Sequence, residues 1–584
     1  MIRKFLTAIA LTATLACVAE LKYYTELADP KPGDDAATWK ALGRGLNAAW
    51  GSTDIRYGKH SVPKTTSGKL MLSSWRNETV SAQAVIWSSQ NLDDVKIKMS
   101  GLTDGNSIIP AEDISLGFVR YVMTDELNKD GKSGCGHRPD RSKFDSTLVA
   151  DVIDPIDRMN IEGMTARPVW VSIRVPADAR PGVYRGDLTV SAGGATVELP
   201  MELRVSKRTL TAPKDWKMNL DLWQNPYSVA RYYGVEPWSE EHFEAMRPLM
   251  KMLADAGQRA ITTTIMYKPW AGQTCDAFDS MVKRTKLKNG KWRYDYTVFD
   301  KWVEFMTDEI GINGLISCYT MIPWDLQFDY YEEGSEERKF VKGAPGEKAY
   351  EQYWVPFLKD FARHLKKKGW FERTAIAMDE RPMEAMRQAI AVIKKADKNY
   401  KVSLAGNYHP EIQQDLYYLC IPYGDKFPAD VLAERRKRGQ ISTYYTCCVD
   451  PYPNTFTFSE PAEAAWTPIH AIKGDYDGYL RWAVNSWTED PLRDSRFIRF
   501  AAGDCYSIYP GPRTSIRFER FKEGMQTAEK VRLLREEFEK SGNTDAIKAI
   551  EKALVPFSHE ALEKPKGKGC AEPVRDLNEL VNSL

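Results

Sequence analysis

Between residues 21 and 210, after one helical pattern in "DDAATWKALGRGLNAAW", apolar and polar positions alternate in short runs. The runs are "ETVSAQAVIWSS", "VKIKMSGL", "SLGFVRYVM", "PVWVSIRVP" and "GDLTVSAGGATVELPMELRV". A period of two puts every other side chain on one face of a strand. The segments "ADARPGVY" and "SAGG" supply Pro and Gly where tight bends need them. This spacing predicts an antiparallel β-sandwich over residues 20–210, with "KRTLTAPKDW" as the linker that follows.

From Trp216 the period changes. Eight strand-like runs, "MNLDLW", "AITTTIM", "LISCYTM", "TAIAMD", "KVSLAG", "LYYLCI", "ISTYYT" and "YLRWAVNSW", alternate with amphipathic patterns such as "SEEHFEAMRPLMKMLADAG" and "AYEQYWVPFLKDFARHLKKKG". Ser239 with acidic residues after it starts a helix, and Gly257 and Gly369 stop two. The pattern predicts a (β/α)8 TIM-type barrel over residues 215–515. Residues 516–584, which begin "RFERFKEGMQTAEKVRLLREEFEKSG" after Ile516, predict C-terminal helices packed beside the barrel. The fold class expected is therefore multidomain: sandwich, barrel, then helices.

The first residues differ from the rest. Arg3 and Lys4 precede the apolar run "FLTAIALTATLACVA", an export-signal pattern over residues 1–19. The run is shorter than the about 20 residues a membrane-spanning helix needs. "TLAC", ending at Cys17, resembles a lipoprotein box, whereas cleavage after Ala19 leaves the protein without a lipid. Either route exports the chain, to the periplasm or, anchored through Cys17, to the outer membrane or cell surface.

Hydrophobic residues at 43% and charged residues at 28% exclude disordered and channel classes. The net charge of +1, from 81 basic and 80 acidic residues, leaves no footprint for nucleic acid. The 11% aromatic content suits both cores and the C–H faces of sugar rings. Nine Cys form no spaced framework, several lie in apolar runs, and with seven His there is no C-x-x-C or H-x-x-x-H spacing, so zinc is not expected. An oxidising compartment permits a disulfide or two. Nothing in the sequence demands a metal or an organic cofactor.

Candidate chemistry lies in "TAIAMDERP", where the fourth strand-like run meets Asp379 and Glu380. Asp-Glu also occurs at Asp125-Glu126 and Asp308-Glu309, a presumed sandwich loop and a solvated helical face. Only Asp379-Glu380 ends a candidate buried parallel strand, and barrel enzymes place their chemistry at that end. The competing reading is a structural ion pair with Arg381. Glycoside hydrolysis usually takes two carboxyl groups on opposite sides of the scissile bond, but adjacent residues have Cα atoms only about 3.8 Å apart. The pair suits another mechanism, in which the substrate's 2-acetamido group attacks the anomeric carbon. Glu380 then acts as acid and base from the more desolvated position, and ionised Asp379 orients the acetamide and stabilises the cationic oxazoline.

The segment "PVWVSIRVPADARPGVYRGDLTVSAGG", the barrel and "AMDERP" together resemble glycoside hydrolase family 123 over essentially the mature chain. The resemblance implies a retaining exo-acting β-N-acetylgalactosaminidase that meets a glycan partner, with Asp379 orienting the acetamide and Glu380 as acid/base. Further sugar-binding candidates stand near strand ends: Trp223, Trp324 and Trp487 as walls, Asn407, His409 and Asn485 for hydroxyls, and one of Tyr444 and Tyr445, which point to opposite faces. Asp325 and Asp450 are candidate conventional nucleophiles. A β-N-acetylglucosaminidase, another retaining glycosidase and a non-catalytic carbohydrate-binding surface protein stay open at this point.

Overall fold

A computed structural model describes residues 23–33, 36–64, 66–125, 138, 140, 142, 144–562 and 569–584. The expected signal segment 1–19 and the Cys17 anchor lie outside the described residues.

The first part of the chain forms two facing sheets. One runs in the order Asn47–Gly51, Thr79–Ser88, Thr165–Arg174, Ile114–Thr124, Thr147–Asp154, Thr514–Ser515, all antiparallel. The other is built on Leu70–Arg76, Ala195–Thr209, Gly182–Ala192, Leu92–Met99 and Arg158–Ile161, and its first pair is parallel. Alternation does its work here: Val169, Val171 and Ile173 of one sheet share a core with Leu188, Val190 and Leu203 of the other. The opposite face of the first sheet is buried as well, where Tyr121, Ile153 and Trp170 pack with Ile516. Burial on both faces explains the nearly continuous apolar run of "SLGFVRYVM".

The eight expected barrel strands are β1 (Asn219–Leu222), β2 (Ile261–Thr264), β3 (Ile316–Tyr319), β4 (Thr374–Met378), β5 (Lys401–Ala405), β6 (Tyr418–Pro422), β7 (Ile441–Tyr445) and β8 (Gly478–Arg481). They pair in parallel in the order β1-β8-β7-β6-β5-β4-β3-β2. A parallel bridge from Leu220 to Gln258 nearly closes the ring between β1 and β2. Strand β8 stops at Arg481, so Asn485 and Trp487 fall in the loop beyond it. The loops after β2 and β3 hold a four-stranded sheet between Lys283 and Lys342 that the periodicity did not announce.

The C-terminal helices pack on the barrel, and they also bind the sandwich. Helix α1 (Pro461–Lys473) belongs to the barrel, and helix α2 (Ile516–Ser541) lies against it. Gly524 makes that approach possible, because a Cβ there would sit 2.2 Å from the Ala465 carbonyl oxygen. Helix α3 (Thr544–Leu554) and helix α4 (Ala571–Ser583) follow; Trp75 of the sandwich donates its indole N–H to Val581 O in α4 at 3.1 Å. A second tie is Asp151, fully buried on the sandwich strand Thr147–Asp154. It accepts from Arg56 at 3.0 Å, from the Tyr509 hydroxyl at 2.6 Å and from Arg517 Nε at 3.0 Å. Burial alone would raise its carboxyl, but Arg517 and Arg56 hold it below the usual range.

Removing one partner of such a pair leaves a buried charge uncompensated. Arg517→Met should therefore lower stability by about 3–5 kcal/mol in urea denaturation. A loss under about 1 kcal/mol, the range of an exposed pair, would show that Asp151 does not join the sandwich to α2.

Candidate active site

Strand β4 alternates. Ile376 and Met378 join the outer core against the helices, while Ala377 faces the inner cluster, so Asp379 continues the inward parity. Asp379 is 8% exposed and Glu380, one residue on at the rim, is exposed. The expectation that Glu380 occupies the more desolvated place is thus reversed, because Asp379, directly after Met378, keeps the inward parity of the strand and Glu380 is the next residue out.

Arg381 fixes the pair. Its Nη2 donates to Asp379 Oδ2 at 3.1 Å, its Nε to Ile322 O at 2.9 Å and its Nη1 to Glu380 O at 2.6 Å. Asp379 Oδ1 accepts no hydrogen bond from any described residue, although it is buried. Burial pushes the Asp379 carboxyl up to about 6, with Arg381 pulling against this and Glu380 adding to it. Tyr445, the last residue of β7, donates its hydroxyl to Glu380 Oε1. Burial and the Glu380 carboxylate push that phenol well above its ordinary range, so it is a donor at any working pH. Gly406, after β5, leaves room beside the pair: a Cβ on it would stand 3.3 Å from the Glu380 Cα.

The barrel mouth has an aromatic floor. Trp223 and Trp270 stack at 5.2 Å between centroids, and Tyr319 lies 4.4 Å from Trp223 and 5.3 Å from Trp270. Asp221 of β1 is also buried, neither of its carboxylate oxygens accepts a hydrogen bond from a described residue, and burial pushes its carboxyl up to about 7. Asn407 and His409 line a cleft of about 240 Å3 with Glu380, Arg381, Met386 and Leu404. Trp324, on the loop after β3, is 52% exposed and lies over the Arg381 guanidinium at 4.1 Å.

The structure therefore brings Asp379, Glu380, Trp223, Trp324, Asn407, His409 and Tyr445 to one end of the barrel. Tyr444, Asn485 and Trp487 are instead committed to packing. Tyr444 faces the helices, and its buried hydroxyl donates to Thr467 O at 2.6 Å. Asn485 clamps Asn225, accepting from its N–H at 2.8 Å and donating to its carbonyl at 2.8 Å. Trp487 is fully buried with its N–H on Ile508 O at 2.8 Å. Asp325 is exposed on its loop and accepts from Gln327 N at 3.3 Å; Asp450 accepts from Cys447 N at 2.8 Å. Cys447 is a free thiol and Cys448 is disulfide-bonded. Among the described residues no three His, Cys, Asp or Glu side chains could hold a metal together.

Sequence reasoning missed Asp221, Tyr319, Trp270 and the positioning role of Arg381. Asp221 shares parity with Trp223 in "MNLDLW" and was legible from alternation. Tyr319 ends β3 as Tyr445 ends β7, and the same rule finds it. Trp270 lies in an aperiodic loop that gives no signal.

Comparisons with known proteins agree with this architecture. The family model described as the glycoside hydrolase 123 catalytic domain matches residues 223–534, and that of the glycoside hydrolase 123 N-terminal domain matches residues 50–192. No curated protein matches the chain. A family 123 glycoside hydrolase from Clostridium perfringens, whose structure was analysed for the details of glycolipid glycan hydrolysis, is similar at a TM-score of 0.81 and 25% identity over 92% of this chain and 97% of that one. A termite-gut xylanase with a bacterial Ig-like domain (TM-score 0.30, 10% identity, 79% of this chain and 99% of that one) is too remote to bear on the site. So is the Parabacteroides merdae β-glucuronidase (TM-score 0.27, 10% identity, 83% of this chain and 51% of that one). With the catalytic-domain match spanning more than half of its residues, this chain belongs to glycoside hydrolase family 123.

Proposed function

We propose that this hydrolase releases terminal β-linked N-acetylgalactosamine with retention, the substrate's own 2-acetamido group acting as nucleophile. Asp379 orients that group and Glu380 is the general acid and base. The observation that carries the reading is the Asp379 carboxylate, buried with Oδ2 on Arg381 and Oδ1 without a donor. A buried acceptor left open loses its water without compensation, and an acetamide N–H supplies the missing donor.

In the first step ionised Asp379 accepts the N–H and turns the acetamide carbonyl oxygen towards C1. The C1–oxygen bond of the new ring forms, Glu380 gives its proton to the glycosidic oxygen, and the aglycone leaves as an alcohol. Asp379 stabilises the positive charge of the oxazolinium. Water then attacks C1, Glu380 takes its proton, and the ring opens to the acetamide. Two inversions leave the anomeric configuration unchanged. Tyr445 occupies Oε1 of Glu380 as a donor, which leaves the transferable proton to Oε2. Glu380 is exposed without substrate, and a sugar laid over it displaces the water around it.

The choice of N-acetylgalactosamine rests on the family resemblance. The Clostridium perfringens relative works on glycolipid glycans, and we take the same class as substrate here, met outside the cytoplasm by a protein exported through residues 1–19.

The first test is hydrolysis of aryl β-glycosides of N-acetylgalactosamine, N-acetylglucosamine and galactose, with and without a thiazoline analogue of the oxazoline. Cleavage confined to the N-acetylgalactosamine glycoside and blocked by the thiazoline is expected; galactoside cleavage at a similar rate would refute acetamide participation. Glu380→Gln should slow a glycoside with a sugar leaving group by about 100-fold or more and an activated aryl glycoside far less. Equal losses would remove Glu380 as the acid.

The pH profile follows from Asp379. Its carboxyl is raised from 3.8 to about 6, and the ionised form is the one that works. The ionised Asp379 that the first step needs is therefore lost as pH drops through that value, so kcat/KM should show an acid limb near pH 6. Asp379→Asn should cost about 100-fold or more and abolish the limb. A limb unchanged in that variant would assign it to another group.

A further inference from the structure

We infer that Trp324, held by Arg381, is the platform for the sugar on the reducing side of the scissile bond, and that it makes the enzyme prefer glycans to simple glycosides. The inference rests on Glu380 being the acid. Asp379 Oδ1, which receives the acetamide, lies on the buried inward side of the pair, so the terminal sugar lies over the barrel axis. Glu380 at the exposed rim must touch the glycosidic oxygen, so the rest of the glycan continues outward past the rim.

Trp324 stands at that rim. It is the one tryptophan among the large apolar side chains that the described residues leave exposed. One face of its indole is occupied by the Arg381 guanidinium, 4.1 Å from the ring centroid. That guanidinium is itself pinned to Ile322 O, Glu380 O and Asp379 Oδ2. The indole is thus a plane held against the group that pins both carboxylates, and about half of its surface, 52%, is open to solvent. The matching ligand is a hexopyranose that presents a face of C–H groups. The cleft of Asn407 and His409, on the β5 side of Glu380, has no Trp, Tyr or Phe in its lining and offers bonds to hydroxyls without a stacking plane.

The test compares two glycosides of β-N-acetylgalactosamine, one with galactose and one with a methyl group as aglycone, on the wild type, Trp324→Ala and Trp324→Phe. The wild type should prefer the disaccharide. Trp324→Ala should lose about tenfold more in kcat/KM on the disaccharide than on the methyl glycoside. Trp324→Phe should recover most of that difference, because a smaller ring still stacks. Equal losses on the two glycosides, or a disaccharide preference retained in Trp324→Ala, would overturn the subsite while leaving the proposed function standing. A wild type that cleaves neither overturns the proposed function, and the subsite with it.

Discussion

A carboxylate kept in a buried place with half of its acceptors unfilled is the constraint around which this barrel is arranged. Desolvation acts against the charge of Asp379, and the Arg381 guanidinium offsets it. Arg381 can do so because it is not free to swing into solvent. Two backbone carbonyls, one on the loop after β3 and one in the pair itself, hold it from other sides, and Trp324 covers it. The ion pair considered from sequence as an alternative to function is therefore present, and it is compatible with function: Arg381 saturates one oxygen, while the other accepts no hydrogen bond from a described residue.

Such a site tolerates little movement, and the rest of the chain restrains it. The last barrel loop and α2 are tied to the sandwich through Asp151, whose partners come from three places along the chain: Arg56, Tyr509 and Arg517. The strand Thr514–Ser515 adds to the sandwich sheet immediately before α2 begins. A helix that both closes against the barrel and grips the sandwich makes the sandwich a buttress for the barrel wall. Burial of its outer face is the physical sign of that role.

Much of this was legible in the sequence because barrel strands are short, apolar and separated by helices with clear ends. All eight runs became strands, and alternation correctly put Tyr444 and Tyr445 on opposite faces. The inward one was not decidable without knowing where β7 sits in the ring. Strand β8 read too long, since "YLRWAVNSW" keeps an apolar pattern after its ladder ends at Arg481. Asn485 and Trp487 therefore looked like strand-end residues when they are packed loop residues. The sheet between Lys283 and Lys342 escaped notice because its strands are short and rich in charge, as in "KRTK" and "RKFVK".

The burial of the pair was the hardest feature to foresee, and its reversal bears on mechanism. Desolvation assigned by role puts the acid inside; the strand assigns it by parity, and parity puts Asp379 inside. Adjacent residues at a strand end cannot both face the axis, so the chain offers one buried and one exposed carboxyl group. A buried anion beside a rim acid cannot flank a bond from two sides, as a separated pair does. It can flank one sugar: the anion at its 2-substituent, beneath the ring plane, and the acid at its glycosidic oxygen. Adjacency in sequence, which is useless for a nucleophile and acid across a bond, fits two groups that serve neighbouring atoms of the same residue.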